Sequence, residues 1–186
     1  MPETVSLGLD TSNYTTSAAL LQNSEIHSRG RLLPVKAGEI GLRQSEAVFH
    51  HTRQLPQVVA ELGGAVQDVR VIGVSDRPRD AEDSYMPCFL VGLGAAEMLG
   101  QALGAPVHRF SHQQGHIAAA LYSAGRRALL GRPFIAFPLS GGTTEAVLAQ
   151  PERSGKNVTK RRAAAPPDLK GREGRYPGGG GGRPGG

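Results

Sequence analysis

The sequence predicts a mixed α/β lobe, and three observations predict it. Short runs with strand character open the chain at 5–10, 17–21 and 25–33, separated by tight polar turns. The period then changes, because Val48, Leu55, Val58, Val59 and Leu62 recur at three- and four-residue steps, the mark of an amphipathic helix. From Arg70 onward, strand-like and helix-like segments alternate, which implies parallel crossover connections. The resulting order, β-β-β-α-β-α-β-α, is that of one complete ribonuclease-H-like lobe.

Each element has its own warrant. The first two strands flank the turn 11–16, which is polar and rich in hydroxyls, and a second turn at 22–24 leads into the third strand. The helix at 45–62 contains Pro56, which predicts a kink or a second segment, and Gly63-Gly64 ends it. Residues 70–75 read as a buried strand, followed by the charged loop 76–83. A helix over 89–103 carries Gly92, Gly94, Ala95 and Ala96, small residues that predict close packing. A short strand at 106–110 leads into a helix through Tyr122. After Arg132 the pattern restarts with strands at 134–139 and 145–149 around the turn 140–144.

The predicted organisation is therefore a first lobe over 1–130 and the opening hairpin of an incomplete second lobe over 131–150. A basic Gly/Pro-rich tail over 151–186 follows. The tail lacks apolar periodicity and ends in a glycine run, so it cannot bury enough surface to offset its ordering entropy and is expected to be disordered. Two readings of it stand: a flexible basic tail, or a chain whose proper continuation is lost, as by a frameshift. A half-built lobe is a poor natural boundary and favours the second.

Charge supports the same division. Residues 1–150 carry 12 Lys/Arg against 13 Asp/Glu, whereas residues 151–186 carry 9 against 3. The body is near neutral and offers no phosphate-tracking surface of its own, so nucleic-acid binding does not follow from the overall charge of +5. Cys88 is the only cysteine, which excludes an internal disulfide and fits a reducing compartment. The N-terminal residues lack a secretory pattern, and the longest apolar run, 88–99, is too short to span a bilayer. The expected location is the cytoplasm, with no membrane partner.

The chemistry concentrates in Phe110-Ser-His-Gln-Gln-Gly-His116. On a helix, His112 and His116 lie at i and i+4 and share a face, so both can grip one metal ion. The zinc-protease helix places glutamate after its first histidine as general base. Here that position is Gln113, which cannot accept a proton. The turn at Asp10, Thr11, Ser12 and Thr16 is a candidate phosphate turn, and the turn at 140–144 occupies the matching place in the second lobe. His27 and His108 read as strand residues without a ligand role, and His50-His51 as helix residues with a structural one. Arg77, Arg79, Asp80, Glu82 and Asp83 read as a solvated loop, and Cys88 as a small core residue.

Three segments in register, Leu7-Gly-Leu-Asp-Thr-Ser12, the His-x-x-Gly-His segment within 110–122, and Ala136-Phe-Pro-Leu-Ser-Gly-Gly-Thr-Thr144, resemble the tRNA threonylcarbamoyladenosine transferase family. That family is also known as glycoprotease or O-sialoglycoprotein endopeptidase. The resemblance covers about residues 5–149. It implies an actin-like two-lobed fold and transfer of threonylcarbamoyl from its adenylate to a tRNA adenosine. It implies one divalent metal, iron or zinc, held by His112, His116 and a later aspartate that this chain does not supply. It also implies that Pro138, Leu139, Ser140, Gly141, Gly142, Thr143 and Thr144 line the acyl-adenylate. ATP is the alternative nucleotide, and tRNA, a related lobe or accessory subunits are the implied partners. The chain departs from the family at Asn13-Tyr14-Thr15, at the loop 76–80 and at Thr143, which mark a divergent branch. Expected for the chain alone is weak metal binding without transfer; the alternative is a non-catalytic, partner-binding paralogue.

Overall fold

The computed structural model describes residues 4–35, 38, 41–63, 66–81, 83–138 and 145–151. The chain divides into two units, Met1–Leu129 and Leu130–Gly186. In the first, strands β1 (Val5–Asp10), β2 (Thr15–Gln22) and β3 (Glu25–Leu32) precede helix α1 (Gln44–Ala60). Strand β4 (Val69–Arg77), helix α2 (Phe89–Leu103), strand β5 (Val107–Ser111) and helix α3 (His112–Ser123) follow. One five-stranded sheet has the order β3-β2-β1-β4-β5. β1 pairs antiparallel with β2, and β2 with β3, while β1, β4 and β5 run parallel. This is the α/β architecture read from the sequence.

Alternation decides which sheet face is the core. Along β1, Val5, Leu7 and Leu9 are buried, and Ala18 and Leu20 of β2 join them. Leu55 and Val58 of α1, Ala96 of α2, and Val69, Ile72 and Val74 of β4 complete the same cluster. The opposite strand positions, such as Gly8, Ser17 and Gly73, face a groove instead. α1 runs as one helix through Pro56, so the proline neither splits it nor opens a second segment. Pro56 and Thr52 are both exposed, so the carbonyl that the proline leaves without a donor can be hydrated.

Two contacts lock the helices to the sheet. The Thr11 hydroxyl donates to the Cys88 carbonyl at 2.9 Å and accepts from the Gly92 N–H at 3.1 Å, inserting itself into the first turn of α2. Gly92 makes room for it, since a Cβ there would lie 2.9 Å from Thr11 Oγ1. At the other end, Gly104 takes the left-handed conformation (φ 64°) and ends α2. Gly92→Ala should therefore lower stability by about 1–3 kcal/mol through overpacking. Thermal unfolding should show this as a fall of several degrees in Tm.

In the second unit, β6 (Phe134–Ala136) and β7 (Val147–Ala149) form an antiparallel pair with Phe134 opposite Ala149. The hairpin is shorter than the 134–139 and 145–149 strands read from the sequence. Among the described residues, no helix is long and apolar enough to cross a membrane.

Candidate functional site

Parallel pairing brings the C-terminal ends of β1, β4 and β5 to one edge of the sheet, and the candidate residues collect there. Asp10 ends β1, Ser75 lies near the end of β4, and His112 opens α3 directly after β5. Ser111 caps that helix, because its side chain accepts the Gln114 N–H at 3.2 Å and its own N–H donates to Gln114 Oε1 at 2.7 Å. The Gln113 N–H donates to the Pro78 carbonyl at 3.1 Å. The start of α3 is thus fixed by its own cap and by the loop after β4.

Asp10 is the hub of the site. Its Oδ2 accepts from Ser75 Oγ at 2.6 Å and from His112 Nδ1 at 2.8 Å, and its Oδ1 accepts the Ser12 N–H at 2.8 Å. Burial alone would raise its pKa, but the hydrogen bonds from His112, Ser12 and Ser75 outweigh it and hold the carboxyl at about 2. An ionised carboxylate cannot donate, so the proton of the Asp10–His112 contact sits on Nδ1. His112 Nε2 then carries the lone pair, and the His116 Nε2–H donates to it. The Phe89 ring packs edge-on against His112 at a centroid distance of 6.3 Å.

His116 Nε2 lies 2.8 Å from His112 Nε2. Burial lowers the pKa of His116, repulsion from His112 lowers it further, and the Asp10 charge opposes both. His116 is therefore neutral at pH 7, the state that ligates metal. The donor set fits a divalent ion: two facing imidazole nitrogens, one oriented by a carboxylate behind it. Two nitrogens on one tetrahedral zinc stand about 3.3 Å apart for bonds of about 2.0–2.1 Å, so the rings need to open by about half an ångström and the His116 proton to pass from Nε2 to Nδ1. Among the described residues, no group of three or more His, Cys, Asp or Glu side chains completes such a site. The rings border an open groove of about 960 Å³, floored by Gly8 and Gly73 and flanked by Tyr14 and Gly115.

In the turn at 11–16, read from the sequence as a candidate phosphate turn, two hydroxyls bond within the protein. Thr11 and Thr16 are fully buried. The hydroxyl of Thr11 is used on α2, and that of Thr16 contacts His51 Nδ1 at 2.8 Å and donates to Gln54 Oε1 at 2.9 Å. Both positions are buried because they continue the inward parity of their strands. Of the four candidate turn residues, Asp10 and Ser12 line the groove. Pro138 accepts the Glu145 N–H at 3.4 Å within its own hairpin, while Leu139, Ser140, Gly141, Gly142, Thr143 and Thr144 lie outside the described residues.

The loop read as solvated is built. Arg77 bridges Asp76 at 2.6 Å and Asp80 at 2.8 Å, with all three side chains partly buried. Cys88 is buried as expected, and burial pushes its thiol pKa up. His27 and His108 are exposed on their strands. Sequence reasoning missed Ser75, hidden in an apolar run, and missed Asp10 as the partner of His112.

A family model described as TsaD, tRNA N6-adenosine threonylcarbamoyltransferase, matches residues 38–170. A tRNA N6-adenosine threonylcarbamoyltransferase of Albidiferax ferrireducens is 32% identical over 155 residues, covering 75% of this chain and 40% of the relative. One of Magnetococcus marinus is 27% identical over 152 residues, covering 74% and 42%. The chain thus spans about two fifths of the length of these relatives. Among solved structures, YeaZ from Pseudomonas aeruginosa superposes with a TM-score of 0.51 at 19% identity, over 87% of this chain and 65% of that one. That likeness concerns the fold alone.

Proposed function

The chain belongs to the tRNA N6-adenosine threonylcarbamoyltransferase family, and on that premise we propose that it supplies the metal-binding half of a threonylcarbamoyl-transfer site. The acyl donor is threonylcarbamoyl-adenylate, the acceptor a tRNA adenosine, and the ion iron or zinc. One observation carries the reading: the Nε2 atoms of His112 and His116 face each other at 2.8 Å, with Nδ1 of His112 hydrogen-bonded to ionised Asp10.

The chain's own residues do the positioning. Asp10 keeps the proton on Nδ1 of His112 and so keeps a lone pair on Nε2. Ser75 and the Ser12 N–H hold Asp10 in place, and the capped start of α3 aims both imidazoles into the groove. A divalent ion bound there supplies Lewis acidity for a carbonyl and charge for a leaving phosphate. A peptidase reading lacks its base, because the residue after the first histidine is Gln113.

Two imidazoles make a weak, exchangeable site. The isolated 186-residue chain is therefore proposed to bind metal weakly and to await a related lobe or accessory subunit before it transfers. The test is purified chain with tRNA, threonylcarbamoyl-adenylate and zinc or ferrous ion, the modified nucleoside being read by mass spectrometry after digestion. The expected result is metal binding without product. Turnover comparable to a full-length relative would contradict the dependence on a partner, and absence of metal binding would contradict the site. Replacing the acyl-adenylate by ATP in a binding titration separates this reading from a nucleotide-hydrolysing one.

A further inference from the structure

His51 is 0% exposed, the least accessible histidine environment a fold can provide, and its Nε2 has no hydrogen-bond partner among the described residues. Its Nδ1 lies 2.8 Å from Thr16 Oγ1. The surrounding bonds fix where the proton is. The Gln54 amide nitrogen donates to the Leu32 carbonyl at 3.3 Å, which turns Gln54 Oε1 toward Thr16. The single hydroxyl proton of Thr16 goes to that oxygen at 2.9 Å, so Thr16 Oγ1 can only accept from His51. His51 Nδ1 is therefore the donor in its contact with Thr16. Burial lowers its pKa and keeps it neutral, against the attraction of Asp10 and with the repulsion of His50, while the nearby Asn13 backbone favours the proton slightly.

What this histidine holds is the hairpin turn beside the metal pair. The turn is pinned on both flanks by buried hydroxyls: Thr11 to α2 on one side, and Thr16 to His51 and Gln54 of α1 on the other. Between the two pins, Asn13 adopts a left-handed φ of 32°. The Thr15 N–H donates to the Ser12 carbonyl at 3.1 Å, and the Ser12 N–H donates to Asp10 Oδ1. Asp10 in turn sets the tautomer of His112. We infer that His51 is a positioning residue of the site, acting through Thr16 and the 11–16 turn to hold Asp10 where it fixes His112. The inference rests on the reading of His112 and His116 as the metal pair, but its first readout needs no metal.

The tautomer of His112 lets this role be separated from plain stability. Leucine at position 51 removes the Nδ1–H donor but keeps an apolar side chain in a fully buried place, so the cost to the fold is partly offset. Asparagine keeps an N–H donor near the place of Nδ1. The experiment compares wild type, His51→Leu, His51→Asn and Thr16→Val by three measurements. These are imidazole nitrogen NMR shifts of His112 in the metal-free chain, cobalt(II) affinity by visible absorption, and Tm.

In wild type, His112 is expected as Nδ1–H. His51→Leu and Thr16→Val should shift His112 to a mixture of tautomers and weaken cobalt binding about tenfold, the lower end of what outer-shell losses cost a metal site. His51→Asn should restore both. If His51→Leu fails to fold, Thr16→Val, which keeps the histidine, decides by the same readouts. A folded variant with lower Tm but unchanged His112 tautomer and unchanged cobalt affinity overturns the proposal. Failure of wild type to bind cobalt overturns the metal reading instead, and the tautomer measurement still judges His51.

Discussion

The double change His112→Ala, His116→Ala lowers the affinity of the chain for zinc or cobalt by at least about a hundredfold while leaving the fold intact. Removing both direct ligands costs more than the 10- to 100-fold typical of outer-shell partners alone. The fold survives because no residue of α3 is buried and alanine is the better helix former. Each single variant should lose nearly as much as the double one, since one imidazole on a mobile side chain has no chelate partner. Calorimetric titration reads the affinity, and circular dichroism with thermal melting reads the fold. A double variant that still binds one equivalent tightly would move the metal elsewhere in the chain.

Asp10→Asn is the second large effect. An amide at position 10 can still accept the Ser12 N–H, but its NH2 cannot accept the proton of His112 Nδ1. His112 then moves its proton to Nε2 and loses the lone pair that faces His116. Metal affinity should fall 10- to 100-fold.

The same substitution has a pH signature. The folded-state pKa of Asp10 is lowered from 3.8 to about 2, so ionised Asp10 contributes stability above about pH 4 that is lost as pH falls toward 2. The span corresponds to about 2 kcal/mol. Urea denaturation between pH 5 and pH 2 should therefore show a steeper loss for wild type than for Asp10→Asn. Parallel pH profiles would mean that the carboxylate is not held as described.

How far the sequence led depends on the range of each interaction. α2 was legible because a run of small and apolar residues stops at Gly104, and its bounds at Phe89–Leu103 are those read from the sequence. β4 runs two residues past the expected 70–75 because Arg77 still pairs with Ser111 across the sheet, a contact invisible locally. The histidine pair was legible because i and i+4 is a local geometry. Its support was not, since Asp10 and His112 are 102 positions apart.

Two further signals lie in the periodicity of the chain. Thr11 shares strand parity with Leu7 and Leu9, and Thr16 with Ala18 and Leu20, so alternation already placed both hydroxyls inside. His51 shares a helical face with Ala47, Leu55 and Val58, which marks it as an inward position, in line with the structural role read from the sequence. The sequence at 140–144 carries no comparable long-range signal, because Gly and Thr are compatible with many conformations.

X-ray absorption at the zinc edge of the zinc-loaded chain tests the account most directly. Two imidazole nitrogens at about 2.0–2.1 Å are predicted, and both should vanish from the spectrum of His112→Ala, His116→Ala. A first shell without imidazole, or one unchanged by the double substitution, would contradict it.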